Sequence, residues 1–211
     1  MIITISRQFG AGGSEVARRV ATELGWRVVD NELIDRVAAR AGLPPEEVAR
    51  KEERAPGFVE RLARALARSA PELFPRQAEA APEPEEAILV RVTETVVAEI
   101  AAEGRVVMVG RAAAAVLSGD HDALHVKLVA PEAFRLRTAG ARLGTDPKET
   151  QRLLHDTDAT RARYERQHYG HDWDDPSGYH MVLNTERLGF DGASDIIVAY
   201  ARHRWPAGAA R

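Results

Sequence analysis

A chain of 211 residues with 45% hydrophobic content supports one full core and a small appendage, not two large domains. The formal net charge of −3, with 29% charged residues, gives no pull toward nucleic acid or an anionic membrane, and neither partner is expected. The absence of cysteine removes disulfides, thiolate metal sites and cysteine nucleophiles.

Met1 leads straight into Ile2-Ile3-Thr4-Ile5, which is too short for a secretory signal. No apolar run approaches the roughly 20 residues needed to span a bilayer, so a cytoplasmic location is the expectation. Residues 2–6 are rich in β-branched side chains and predict a buried strand. A glycine-rich turn, Gly10-Ala11-Gly12-Gly13, follows. Val16, Val20 and Leu24 then recur at helical spacing until Gly25 stops the helix. Trp26 to Val29 reads as a second strand ending at Asp30, and a helix is expected from about Asn31 to Ala41.

Prolines at 44, 45, 56, 71, 75, 82 and 84 punctuate the next stretch. Within it, residues 57–70 read as a helix with Phe58, Leu62 and Leu66 on one face. Residues 75–86 are polar and Pro-rich, and 71–86 are expected to be mobile. Residues 43–86 are therefore taken as an insertion, a lid or an acceptor-binding flap, on a core formed by 1–42 and 87–211.

The core resumes with a helix from about Ala87 to Glu103 and a strand over Arg105–Val109, followed by Gly110-Arg111. Leu124–Val129 is a further strand, and Pro131 marks the start of an Arg-rich helical stretch that runs to about residue 168. This stretch, from about 135, is the expected lid. Residues 170–178 form a loop, Tyr179–Leu183 is the last core strand, and Ala193–Arg204 is a strand or a helix. Strands alternating with helices imply an α/β fold of three layers, a parallel sheet flanked by helices.

Strand, glycine-rich turn and helix in that order make an anion site, because the turn aims N–H groups inward and the helix N-terminus adds partial positive charge. Set against the pattern G-x-x-x-x-G-K-[ST], Gly12 matches the second glycine and Ser14 the hydroxyl that holds Mg²⁺. Arg7 stands where the first glycine belongs, and Gly13 replaces the lysine. A dinucleotide fingerprint is an alternative: Gly10 and Gly12 begin it and Asp30 supplies a distant acid, but Glu15 occupies the third glycine's place. A plain strand-to-helix turn is the other. Phosphoryl transfer needs charge neutralisation. Either Arg7 supplies it, or Arg7 pairs with a carboxylate in a site without turnover.

Residues 5–15 (ISRQFGAGGSE) and 25–30 (GWRVVD) resemble the cytidylate kinase-like family. So do Gly110-Arg111, the spacing of Asp158, Arg161 and Tyr164, residues 172–176 (DWDDP) and residues 179–185 (YHMVLNT). The resemblance implies a P-loop nucleoside monophosphate kinase fold and an ATP-dependent, Mg²⁺-dependent phosphotransferase with a small-molecule nucleotide acceptor of the cytidylate type. It places Gly10, Ala11, Gly12, Gly13, Ser14 and Glu15 around the donor phosphates, with Ser14 on the metal, and Asn184 and Thr185 near the donor nucleotide. It assigns Arg111 to the acceptor phosphate, where the aspartate that follows in cytidylate kinases is replaced by Ala112. It assigns Arg36 to the acceptor, and Arg135 and Arg161 to the lid over the donor. Asp30, ending the second strand on the sheet's carboxyl edge, orients the acceptor or holds a Mg²⁺-bound water, and Arg7 and Asp30 join Arg135 and Arg161 as the candidate catalytic groups. The alternatives are a kinase of another small molecule on the same fold and a nucleotide-binding regulator without turnover.

Overall fold

The computed structural model describes residues 1–30, 85–110 and 112–206. The helices expected at 31–41 and 57–70 lie outside the described residues. So does the segment expected to be mobile at 71–86, apart from Glu85 and Glu86, which open a helix. Chain contacts divide the molecule into Met1–Asp30 with Ala101–Arg211, and Asn31–Ile100. The second unit contributes to the described residues only part of one helix, α2 (Glu85–Glu103).

The first unit is built on five strands: β1 (Ile2–Arg7), β2 (Arg27–Val29), β3 (Val106–Val109), β4 (Ala123–Val129) and β5 (Met181–Asn184). Their order is β2-β3-β1-β4-β5, and every neighbouring pair is parallel. The chain leaves β1 to one side for β2 and β3, then crosses to the other for β4 and β5. The strand order thus reverses at β1, and a parallel sheet opens its ligand crevice at the carboxyl ends beside such a reversal.

Strand alternation separates the two faces of the sheet. Ile3 and Ile5 of β1 pair in register with Leu124 and Val126 of β4, and Ile5 with Val109 of β3. These residues share one apolar cluster with Val16, Ala17 and Val20 of α1 (Gly13–Leu24) and Ala193 and Ile197 of α6 (Thr185–Arg204). Each fully buried aliphatic side chain in that layer is worth about 1.5–3 kcal/mol against exposure.

Thr4, Ser6, His125 and Lys127 have the opposite parity and are buried on the other face. There Thr4 Oγ1 lies 2.8 Å from His125 Nδ1. Trp173 Nε1 donates to Ser6 Oγ at 2.9 Å, and Lys127 Nζ donates to the Trp173 carbonyl and to Asp174 Oδ1. Polar groups inside a sheet layer are tolerated because each finds such a partner.

The helix boundaries follow local signals. Gly25 closes α1 in the left-handed region at φ 66°. The Arg-rich stretch is two helices, α4 (Glu132–Leu143) and α5 (Pro147–Tyr169), broken at Gly144 with φ 67°. Asp146 then caps α5 by accepting from the N–H groups of Lys148 and Glu149, with Pro147 in the first turn. A short helix, α3 (Ala113–Val116), follows β3. At the C-terminal end the choice left open between strand and helix resolves as helix. It starts at Thr185, earlier than residue 193, and kinks at Gly189 (φ 68°, ψ 169°).

Candidate active site

The carboxyl edge of the sheet gathers those residues singled out by the sequence that are among the described ones. β1 ends at Arg7, the loop Gln8–Gly12 follows, and α1 begins at Gly13. The N–H groups of Gln8, Ala11 and Val16 hold the loop's shape by donating to Leu128, Gln8 and Gly12 carbonyls. Those of Gly10, Gly12, Gly13, Ser14 and Glu15 meet no acceptor among the described residues. They stand at the N-terminus of a three-turn helix, where orphan donors and the helix dipole favour an anion.

The glycines are required by what surrounds them. Gly10 and Gly12 have φ of 79° and 81°. A Cβ on Gly10 would lie 2.4 Å from the Arg135 carbonyl oxygen, and one on Gly12 2.2 Å from Phe190 Cε1. Gly13 is buried beneath the side chain of Arg7, and a Cβ there would lie 2.6 Å from Arg7 Cγ.

Asp30, directly after β2, accepts a hydrogen bond from Ser14 Oγ at 2.5 Å. A hydroxyl and a carboxylate at one spot are the oxygen donors a hard divalent cation takes. Among the described residues, no group of three or more His, Asp or Glu is placed to hold a metal by itself.

Arg135 and Arg161 are drawn together by Asp158. Arg135 Nη1 donates to Asp158 Oδ2 at 2.6 Å and to the Phe9 carbonyl at 3.3 Å. Arg161 Nη1 donates to the Arg7 carbonyl at 2.8 Å. Asp158 also accepts the Phe9 N–H at 2.8 Å. In this state the two arginines grip the backbone of the loop. The other arginines of the stretch, Arg137, Arg142, Arg152, Arg163 and Arg166, are exposed.

Asn184 caps α6, its Oδ1 accepting from Glu186 and Arg187 N–H groups, and Thr185 is fully buried. Arg36 and Arg111 lie outside the described residues. Gly110, at the end of β3, is described, with φ 73°. Ala112 follows in the left-handed region at φ 51°. It lines a small cavity with Gly110, Ala113 and the carboxylate-bearing Glu165, whose pKa burial pushes up. Trp173 and Tyr179 are buried packing residues.

Three contributors are not among the candidate site residues of the sequence. Asp158 carried a signal in its regular spacing with Arg161, but nothing local links it to Phe9, 149 positions away. Lys127 is 2% exposed, and its signal was a lysine within a mostly apolar strand. Phe190, packed on Gly12, had none.

A parallel sheet of this order, with a glycine-rich loop between its central strand and a helix, defines the P-loop kinase fold. The chain belongs to the cytidylate kinase-like family, whose model matches residues 2–187. It is 28% identical over 210 residues to a cytidylate kinase of Methanopyrus kandleri, covering 94% of this chain and 92% of that one. An uncharacterized protein of Eubacterium ventriosum superposes with a TM-score of 0.67 at 20% identity, over 95% of this chain and 98% of that one. Shikimate kinase from Acinetobacter baumannii, in complex with shikimate, gives 0.52 at 14% identity, over 98% and 95%. Family and fold support a kinase acting on a nucleotide or another small molecule. Among the described residues no helix is long and apolar enough to cross a membrane.

Proposed function

We propose that the chain is an ATP-dependent phosphotransferase with a nucleoside monophosphate acceptor, cytidylate first among candidates. The observation that carries this reading is the set of N–H groups of Gly10 and Gly12 to Glu15 that meet no acceptor among the described residues, at the start of α1 beside the Ser14–Asp30 pair. The N–H groups cradle the donor phosphates, and backbone dipoles fixed in advance need no reorganisation as charge develops. Ser14 and Asp30 hold Mg²⁺, whose chemistry there is to neutralise charge on the donor phosphates. Transfer is in line, driven by positioning and charge stabilisation without a covalent enzyme intermediate. Arg111 and Arg36 take the acceptor, and Asn184 and Thr185 border the donor nucleotide.

Arg135 and Arg161 act on the donor in two ways in this reading. Held by Asp158, they fix the loop. Released from it, their guanidinium forks suit phosphate oxygens.

A second reading keeps the chemistry and changes the acceptor. Ala112 favours it: a buried methyl stands where cytidylate kinases carry an aspartate, which removes a polar contact for a sugar or base. Coupled ADP release with Mg²⁺ and ATP, measured across cytidine, uridine, adenosine and guanosine monophosphates and then across small hydroxyl compounds, tests both. Turnover confined to a nucleoside monophosphate supports the first reading, and turnover confined to another acceptor supports the second. ATP binding without turnover for any acceptor leaves the regulator.

A further inference from the structure

Odd-numbered residues of β1 face α1, where Ile3 and Ile5 are core. Arg7, the last residue of the strand, keeps that parity, and its stem crosses the first residue of α1. A Cβ on Gly13 would stand 2.6 Å from Arg7 Cγ, 3.1 Å from Cδ and 3.2 Å from Cβ. The guanidinium continues toward the end of β3, where a Cβ on Gly110 would fall 1.9 Å from Nη1 and 2.8 Å from Cζ. A side chain at position 13 would therefore collide along its base with Arg7, and one at 110 with the guanidinium. Both positions are glycine, and the arginine occupies the room they leave.

The lysine of the usual phosphate loop rises from position 13, at the start of the helix. Here a cation enters the same space from the strand side, seven residues into the chain. We propose that Arg7 is the phosphate-binding cation of this loop, and that Arg7 with Gly13 is a single exchange in which the charge moved from helix to strand. This rests on the kinase reading of the loop and deepens it. The exchange alters the chemistry as well as the address. A guanidinium is a planar fork that grips two oxygens at once and stays charged, whereas an ammonium is a compact point charge. The fork also extends from the donor loop to Gly110, so one cation faces both the loop and the end of β3. It is thereby placed for oxygens on both sides of the transferred group.

The test is equilibrium binding of a fluorescent ATP analogue in the presence of Mg²⁺, with adenosine as competitor control and circular dichroism and thermal melts as fold controls. Arg7→Met keeps the stem that covers Gly13 and removes the charge. It is expected to stay folded and to weaken ATP binding by about 10- to 100-fold, the usual size for hydrogen bonds to a charged group, with adenosine competition unchanged. Gly13→Lys alone is expected to melt earlier and to bind ATP more weakly than wild type, because two side chains contest one space. Arg7→Gly combined with Gly13→Lys is expected to restore the fold and to bind ATP at least about tenfold more tightly than Arg7→Met. The inference is overturned if Arg7→Met binds ATP as wild type does, if Gly13→Lys is accommodated beside Arg7 with full binding, or if wild type binds no ATP. Binding and turnover separate the two claims: a wild-type protein that binds ATP through Arg7 but transfers nothing sinks the kinase reading and upholds this one.

Discussion

Ser14 Oγ donates to Asp30 Oδ2 across 2.5 Å, joining the first turn of α1 to the end of β2. Two sequence segments that meet only through the fold thus share one oxygen-rich spot at the sheet edge. If that spot holds Mg²⁺, Ser14→Ala removes one donor and leaves the loop's N–H groups intact. Its turnover is expected to need at least about tenfold more Mg²⁺ for half-maximal rate. Asp30→Asn, which keeps the shape but not the charge, is expected to do the same. A Mg²⁺ titration with an unchanged midpoint in both variants would remove the pair from the metal.

Asp158 sits between Arg135 and Arg161 and accepts the Phe9 N–H. Its side chain is 15% exposed and that of Arg135 10%, so removing the acid leaves a largely buried cation uncompensated. Asp158→Ala is expected to cost about 3–5 kcal/mol in chemical denaturation. Asp158→Leu with Arg135→Met removes both charges and is expected to regain most of that stability. It should still bind ATP more weakly than wild type, because the loop has lost its clamp. Full binding by the double variant would make the triad a folding device only.

Gly10 and Gly12 differ in what confines them. The neighbour of Gly10 is backbone, the Arg135 carbonyl, and the neighbour of Gly12 is a side chain, the Phe190 ring. Alanine at either position carries a left-handed penalty of about 1–2 kcal/mol. Steric conflict adds to it, and only at Gly12 can a second substitution relieve that conflict. A double-mutant cycle of Gly12→Ala with Phe190→Leu is expected to show favourable coupling of about 0.5–3 kcal/mol. The cycle of Gly10→Ala with Phe190→Leu is expected to show none. Equal coupling in the two cycles would contradict this packing.

The parts of the fold visible in the sequence are those set by short-range chemistry. The β-branched run at 2–5 marks a strand because its side chains suit a buried pleat, and Gly25 marks a helix end because only glycine takes φ 66° freely. The loop at 10–15 was visible for the same reason. The start of α6 was not. Gly189 and Gly192 suggest a loop, and the countersignal, Asn184 capping Glu186 and Arg187, becomes clear only when β5 ends directly before it. The direction of Arg7 depended on where β1 stopped: one residue more or less would have turned the guanidinium to the Ser6 face. Asp158 illustrates the third kind of miss, a local spacing whose partner is long-range.

Acid sensitivity follows from His125, which is 4% exposed. Burial, aided by the nearby His180, pushes its pKa down to about 4 from 6.5. The unfolded chain therefore binds the proton more readily, and stability is full above pH 6.5 and falls as pH drops toward 4. The loss is on the order of 3 kcal/mol. Glu165 acts with the opposite sign: burial raises its pKa, so its protonation in acid favours the folded state. His125→Asn is expected to lower stability at neutral pH and to flatten the decline between pH 6.5 and 4, read by urea titrations at several pH values. A decline of the same slope in the variant would place its origin elsewhere.

Phosphoryl transfer itself is the most direct measurement. Purified protein with saturating ATP and Mg²⁺ is offered each nucleoside monophosphate in turn, and ADP and nucleoside diphosphate are quantified together. The expected result is ADP formed in equal amount with one nucleoside diphosphate, cytidine diphosphate first, and lost in Arg7→Met. ATP bound at the loop with no diphosphate formed from any acceptor would contradict it.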